Sequence, residues 1–239
     1  MPKCSFDDGS GCANCNFPTS TIFHSLSENS FNKLSQNKVD LFVKKKQNIF
    51  VQGNIPQYVY IVRKGKIKVF ILGENGKEQI VRVAKEGDTI GYRSLLNNEK
   101  YFATAVAMDD CELCAVTKAF FFDEIEKNPT LAKDTLTLLS KQLRDSENRM
   151  FSLAYKSVKE RIAEGVLMLA NAYGFESDNK TIAVQLYRKD IADFAGVTVE
   201  TAIRNLNDFR REGMVEIDHK KIKILESDKL YSIAKMRRP

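Results

Sequence analysis

Only two histidines occur in this 239-residue chain, His24 and His219, and neither is expected in a strand. That excludes a barrel enzyme built on a His/Glu metal set, and the chain is read as a non-enzyme. No apolar run approaches the roughly 18 residues that cross a bilayer. Met1-Pro-Lys-Cys4 has no apolar stretch behind it, so no signal peptide is expected. The expectation is a cytoplasmic protein without a membrane partner. Five cysteines in that setting argue against a disulfide scaffold and for metal, redox chemistry or burial. What is present is ordinary for a soluble protein: 43% hydrophobic and 28% charged residues, long enough for one large or two medium domains. The net charge of +6 suits a polyanionic partner, yet residues 160–239 carry 14 Lys/Arg against 13 Asp/Glu. Any phosphate footprint must come from local clusters: Arg188-Lys189, Arg204, Arg210-Arg211, Lys220-Lys221 and Lys235-Met-Arg-Arg238.

The most informative stretch runs from Tyr187 to Val215. Ile191, Ala192 and Ala195 give a first short helix one apolar face, and Gly196 supplies a tight turn. Thr198 is an N-cap, with Val199, Glu200 and Thr201 in the first turn of a second helix. Ala202, Leu206 and Phe209 recur at i, i+4, i+7 and face inward. Met214 to Leu225 then alternates like a hairpin turning near Asp218–Lys220. A helix-turn-helix followed by a hairpin is a winged module for double-stranded DNA. Val199, Glu200, Ile203 and Arg204 project toward base edges. Tyr187, Arg188, Lys189, Thr198, Thr201 and Lys220 complete the expected contact set, with Tyr187 and Thr198 on phosphates.

Upstream, residues 1–20 set Cys4, Cys12 and Cys15 among turn-forming residues that cannot build a core. Ser27 to Leu34 reads as a short capped helix. From about Val39 to Ala119, short apolar runs alternate with glycine turns, the pattern of a jelly roll. Phe120 to Pro129 reads as a helix stopped before the proline. Leu136, Leu139, Leu143, Ser146, Met150, Leu153 and Ser157 follow at alternating three- and four-residue steps, a heptad seam suited to a homodimer. The expected fold is α+β: a cysteine-containing segment (1–20), a β-roll sensor (21–128), a dimerisation helix (129–157) and a winged helix-turn-helix domain (158–239).

The turn Gly196-Val-Thr-Val-Glu-Thr201 followed by Arg204 resembles the DNA-binding end of the Crp/Fnr family of bacterial transcription regulators. It is closer to the FNR branch than to the catabolite activator, which has arginine where Val199 stands. The glycines at 53, 65, 76, 87 and 91, with Asp88, are similar to the spacing of that family's cyclic-nucleotide-binding β-roll. The resemblance implies a homodimer on a palindromic, TTG-like operator, with RNA polymerase as a further partner. Ile203 departs from the serine of FNR.

Family members that bind cyclic AMP carry Gly-Glu and then Arg-Ser or Arg-Thr in the phosphate-binding segment. Here Tyr92 stands for the glutamate, and Phe102-Ala103 occupies the Arg-Ser position. Cyclic AMP is therefore not expected to bind, and Tyr92, Arg93 and Phe102 read as residues of an altered effector pocket, with Tyr92 and Phe102 filling the vacated space. Haem or a small metabolite in the β-roll is the alternative input. The FNR branch also carries an N-terminal cysteine cluster and one more cysteine in the β-roll. That resemblance implies a 4Fe-4S cluster on Cys4, Cys12, Cys15 and Cys114, sensing redox state, oxygen or nitric oxide. The spacing Cys-x7-Cys-x2-Cys differs from FNR, and Cys111 adds a fifth thiol. Cys111 and Cys114, three apart in a strand, are expected on opposite faces. Zinc or a reversible disulfide at Cys12 and Cys15 remains open.

Overall fold

The computed structural model describes residues 21–74 and 76–236. By its contacts the chain divides into two units. The first runs through Val69 and resumes at Ala84–Arg144; the second takes Phe70–Val83 and the chain from Asp145 onward.

The first unit is built on antiparallel strands, of which most of the strand at 78–84 and the end of the one before it fall to the second unit by their contacts. In order they are β1 (Lys38–Val43), β2 (Asn48–Phe50), β3 (Tyr58–Lys64), β4 (Ile67–Leu72), β5 (Glu78–Ala84), β6 (Thr89–Ile90), β7 (Thr104–Ala107) and β8 (Cys111–Thr117). They form two four-stranded sheets ordered β1-β8-β3-β6 and β2-β7-β4-β5. Except for β4 and β5, neighbours in each sheet are not neighbours in the chain, which is the crossing pattern of a β-roll. Val59, Tyr60, Ile61 and Val62 of β3 are all buried, as a central strand covered on both faces requires.

Gly65 shows how tightly the β3–β4 turn is made. Its φ is +92°, and a Cβ there would lie 2.6 Å from Cys111 Sγ and 2.8 Å from the Asp110 carbonyl oxygen. Only glycine meets both the left-handed backbone and the missing volume. Gly65→Ala is expected to destabilise the fold by about 1–3 kcal/mol, read as a lower thermal midpoint. An unchanged midpoint would mean that the turn relaxes freely.

Helices close the first unit. They are α1 (Glu28–Gln36), α2 (Tyr92–Leu96), α3 (Lys118–Lys127) and the N-terminal part of α4 (Pro129–Tyr155). Ser27 caps α1, as its sequence signature predicts. Asn128 Oδ1 accepts from the backbone N–H of Thr130 and Leu131, at 3.1 and 3.2 Å, so Pro129 both ends the helical run before it and opens the next. The short α2 has no signal in the alternation of its surroundings. Ile22, Phe23, Leu34, Ile61, Tyr92, Leu95, Cys114, Phe121 and Leu131 belong to one apolar cluster, and Leu138 and Leu139 pack against it.

In the second unit, Ser157 and Glu160 form a capping box that starts α5 (Val158–Tyr173). Two helices follow, α6 (Arg188–Ala195) and α7 (Val199–Arg211), then a hairpin of β9 (Val215–Asp218) and β10 (Lys221–Ile224), and last α8 (Ser227–Ala234). Bridges Phe175–Ile182 and Thr181–Lys223 broaden the hairpin into a small sheet. Phe194 anchors α6. A Cβ on Gly165 of α5 would come within 3.3 Å of the Phe194 ring, and the Arg149 guanidinium stacks 4.4 Å from its centroid. The helix expected over 129–157 is one continuous α4, and the division between units falls inside it.

Candidate DNA-binding surface

The second unit places α6 and α7 as a helix-turn-helix. Gly196 ends α6 in the left-handed region at φ 62°, where other residues are strained. Thr198 then caps α7, its hydroxyl accepting from Thr201 N–H at 3.3 Å. Ala202, Leu206 and Phe209 are at most 1% exposed, so the inward face is the one their spacing predicts. The rotation of α7 is thereby fixed, and the opposite face is a shallow open notch lined by Glu200, Ile203, Arg204, Asn207, Asp208, Arg210 and Arg211.

The chemistry along that face is graded. The Glu200 carboxyl is held below its ordinary range, first by its own backbone N–H and then by the Thr198 hydroxyl. At neutral pH it is an ionised acceptor. Ile203 is 40% exposed and apolar, suited to a thymine methyl. Arg204 is exposed, and among the described residues its guanidinium has no side-chain partner. Arg211 is paired with Asp208 on its own helix. Val199 and Thr201 are half-buried in the first turn, where the Thr201 hydroxyl lies 3.0 Å from that of Thr198.

A second group gathers at the wing. Lys220 Nζ lies 4.5 Å from the Tyr187 ring centroid and 3.4 Å from its hydroxyl. Arg188 Nη2 donates to the His219 carbonyl at 2.9 Å, and Leu186 N–H to that of Lys220 at 2.8 Å. Residues more than thirty positions apart thus make one basic platform beside the turn. Lys189 does not join it. Its ammonium pairs with Glu78 at 2.8 Å, a contact that raises its pKa.

Two family models match this chain: the cyclic nucleotide-binding domain over residues 41–128 and the Crp-like helix-turn-helix domain over residues 160–233. The chain belongs to the Crp/Fnr family of transcription regulators. It is 27% identical over 227 residues to the fumarate and nitrate reduction regulatory protein of Salmonella typhimurium, covering 93% of this chain and 90% of the relative. It is 28% identical over 215 residues to the cyclic AMP receptor protein of Thermus thermophilus, covering 90% and 97%. Among solved structures, a regulator of the crp/fnr family from Eubacterium rectale aligns with a TM-score of 0.77 at 20% identity, covering 92% of this chain and 99% of that one. That likeness supports the fold. No helix among the described residues of this Crp/Fnr regulator is long and apolar enough to cross a membrane.

The β-roll of this Crp/Fnr regulator corrects one expectation. Tyr92 is 1% exposed and belongs to the core, but Phe102 is 44% exposed. The bend at 102–103 turns it outward, where the Arg93 guanidinium covers its ring at 4.8 Å. Tyr101 points inward instead, stacked on Phe50 at 4.1 Å with its hydroxyl 3.4 Å from the Tyr58 carbonyl. Burial raises the Tyr101 pKa, so the phenol stays neutral. The buried aromatic here is Tyr101, one residue before the exposed Phe102.

Cys4, Cys12 and Cys15 lie outside the described residues. Cys111 and Cys114 are both buried, although they fall on opposite faces of β8, because the strand is covered on both sides. Burial, followed by the nearby Asp109 carboxylate, pushes the Cys111 thiol up to about 12. It is a neutral thiol at physiological pH and a poor ligand or nucleophile. Cys114, the β-roll candidate for an iron–sulfur cluster, is 1% exposed within the apolar cluster that holds Ile22 and Phe23. Among the described residues no group of metal-ligating side chains comes together, so these residues do not themselves form a cluster site. Iodoacetamide at pH 8 is expected to leave Cys111 and Cys114 unmodified in the folded protein and to alkylate both after unfolding, as read by peptide mass spectrometry. Rapid labelling of folded protein at either position would contradict the burial.

Proposed function

We propose that this Crp/Fnr regulator acts as a homodimer on a two-fold-symmetric operator with TTG-like half-sites, one per protomer and about one helical turn apart. The observation that carries this reading is the outward face of α7, where an anionic acceptor, an apolar side chain and an unpaired guanidinium follow one another at Glu200, Ile203 and Arg204. Arg204 takes the O6/N7 edge of guanine, Glu200 accepts from a cytosine amine, and Val199 and Ile203 meet thymine methyls. Tyr187, Arg188, Thr198, Thr201 and Lys220 hold the phosphates that set the register. Lys189 joins them only if it leaves Glu78. RNA polymerase is the partner through which such a regulator acts. Selection from a random DNA pool, run in air and without oxygen, tests the reading. The expected product is a palindrome whose half-sites carry the guanine, and enrichment of no motif overturns it.

The signal we assign to the cysteines: redox state, oxygen or nitric oxide, with a 4Fe-4S cluster as the group four thiolates would hold. In support, relatives of this chain include one named for fumarate and nitrate reduction and one named an electron transport regulator. Cys114 also shares its core cluster with Ile22 and Phe23, which follow Cys15 by only a few residues. Iron and sulfide analysis after anaerobic reconstitution decides between this assignment and zinc or thiol chemistry. The cyclic AMP receptor relative matches equally well, so similarity alone does not choose the signal. The absence of arginine at Phe102-Ala103 argues against cyclic AMP, and calorimetry with the nucleotide at millimolar concentration is expected to show no saturable heat.

A further inference from the structure

Two asparagines stand on α7, Asn205 and Asn207, and they are committed differently. Asn205 donates its side-chain amide to the Thr201 carbonyl at 2.9 Å, one turn back on the same helix. Asn207 is half-exposed, and among the described residues its amide has no hydrogen-bond partner. It lines the same notch as Ile203 and Arg204, four and three residues further along, and so continues their stripe. The other polar side chains near it have different commitments. Asp208 and Arg211 hold each other, and Arg210 stands at the end of the helix.

We infer that Asn207 is a further specificity-determining residue, reading an adenine in the major groove within about two base pairs of the guanine taken by Arg204. The inference rests on the docking of α7 proposed above. A side-chain amide offers one donor and one acceptor, which match N7 and N6 of adenine together and no other base as well. The helix advances about 1.5 Å per residue and base pairs stack about 3.4 Å apart, so a side chain three or four positions beyond Arg204 and Ile203 faces the next one or two base pairs. Its free amide and its place on the central stripe favour a base edge over the flanking phosphates. The length of the readout then grows from the first turn and a half of α7 to its third turn.

The test uses the full-length protein in three forms: unaltered, Asn207→Ala and Asn207→Lys. Each is taken through random-pool selection and then through anisotropy titrations on the selected operator and its single-base variants. The unaltered protein is expected to select an adenine near the guanine. Asn207→Ala should lose about 5- to 150-fold of discrimination at that one position and keep the guanine. Asn207→Lys should replace the adenine preference with guanine and steepen the salt dependence. An Asn207→Ala motif identical to the unaltered one overturns the inference and leaves the docking of α7 standing. A uniform loss across all sequences places the amide on a phosphate and also overturns it. If the unaltered protein enriches no motif, the regulator reading fails and this one with it. Both substitutions are on the outward face, and an unchanged circular dichroism melt separates a reading defect from a folding defect.

Discussion

Arg204→Ala is expected to weaken binding to the selected operator by about 1–3 kcal/mol per half-site and to abolish the preference for guanine at the position it reads. The arginine lines the α7 notch, and no side chain among the described residues engages it, so nothing nearby replaces its two donors. The effect should be specific to one base pair. Titration against operators carrying each base at that position would give four distinct affinities for the unaltered protein and four similar ones for the variant. Lys220→Ala supplies the contrast. Its ammonium sits on the Tyr187 ring at the wing, so its loss should weaken all sequences alike and reduce the salt slope by about one. Unchanged base preference in the arginine variant would mean that α7 does not enter the groove in this orientation.

The second large effect concerns α4. Leu136, Leu143 and Met150 recur every seven residues and are 66%, 61% and 66% exposed, while Phe151 and Tyr155 add 59% and 76%. In the homodimer proposed above, this stripe is the surface that the second protomer covers. Replacing Leu143 and Met150 with Asp is expected to give monomers by sedimentation, with the fold intact. Operator affinity should fall by a factor of about 100 or more, because the second half-site is no longer an intramolecular contact. Leu139 behaves differently. It packs against the core of its own β-roll, so Leu139→Asp should lower thermal stability. A dimer that persists in the double variant would place the interface elsewhere.

The heptad shows how far pattern reaches. Alternating three- and four-residue steps locate α4 and its apolar residues, but the period cannot tell Leu139 from Leu143. One meets the chain's own core, and the other is left exposed. At the helix-turn-helix the reading was nearly complete, since capping, glycine and an i, i+4, i+7 face are local signals that tertiary packing had no reason to override. Phe102 marks the opposite limit. Whether it or Tyr101 enters the β-roll depends on a backbone bend, and neighbouring aromatics look alike in sequence. The burial of both Cys111 and Cys114 was likewise invisible, because alternation gives opposite faces without saying that both are covered. Helix α8 and the bridge from Thr181 to Lys223 had no sequence counterpart, as their cause is packing on α5 and on the hairpin.

The wing has given two of its turn carbonyls to the start of the motif: that of His219 to Arg188 in the first turn of α6, and that of Lys220 to Leu186 just before it. Here the tip is laced to the start of α6, so on the docking proposed above the two approach the phosphates as one stiff jaw. Little entropy then remains to be lost on docking, and the spacing between the jaw and α7 becomes a ruler that admits one groove width. DNA whose groove is too narrow would be refused by shape, before any base is read.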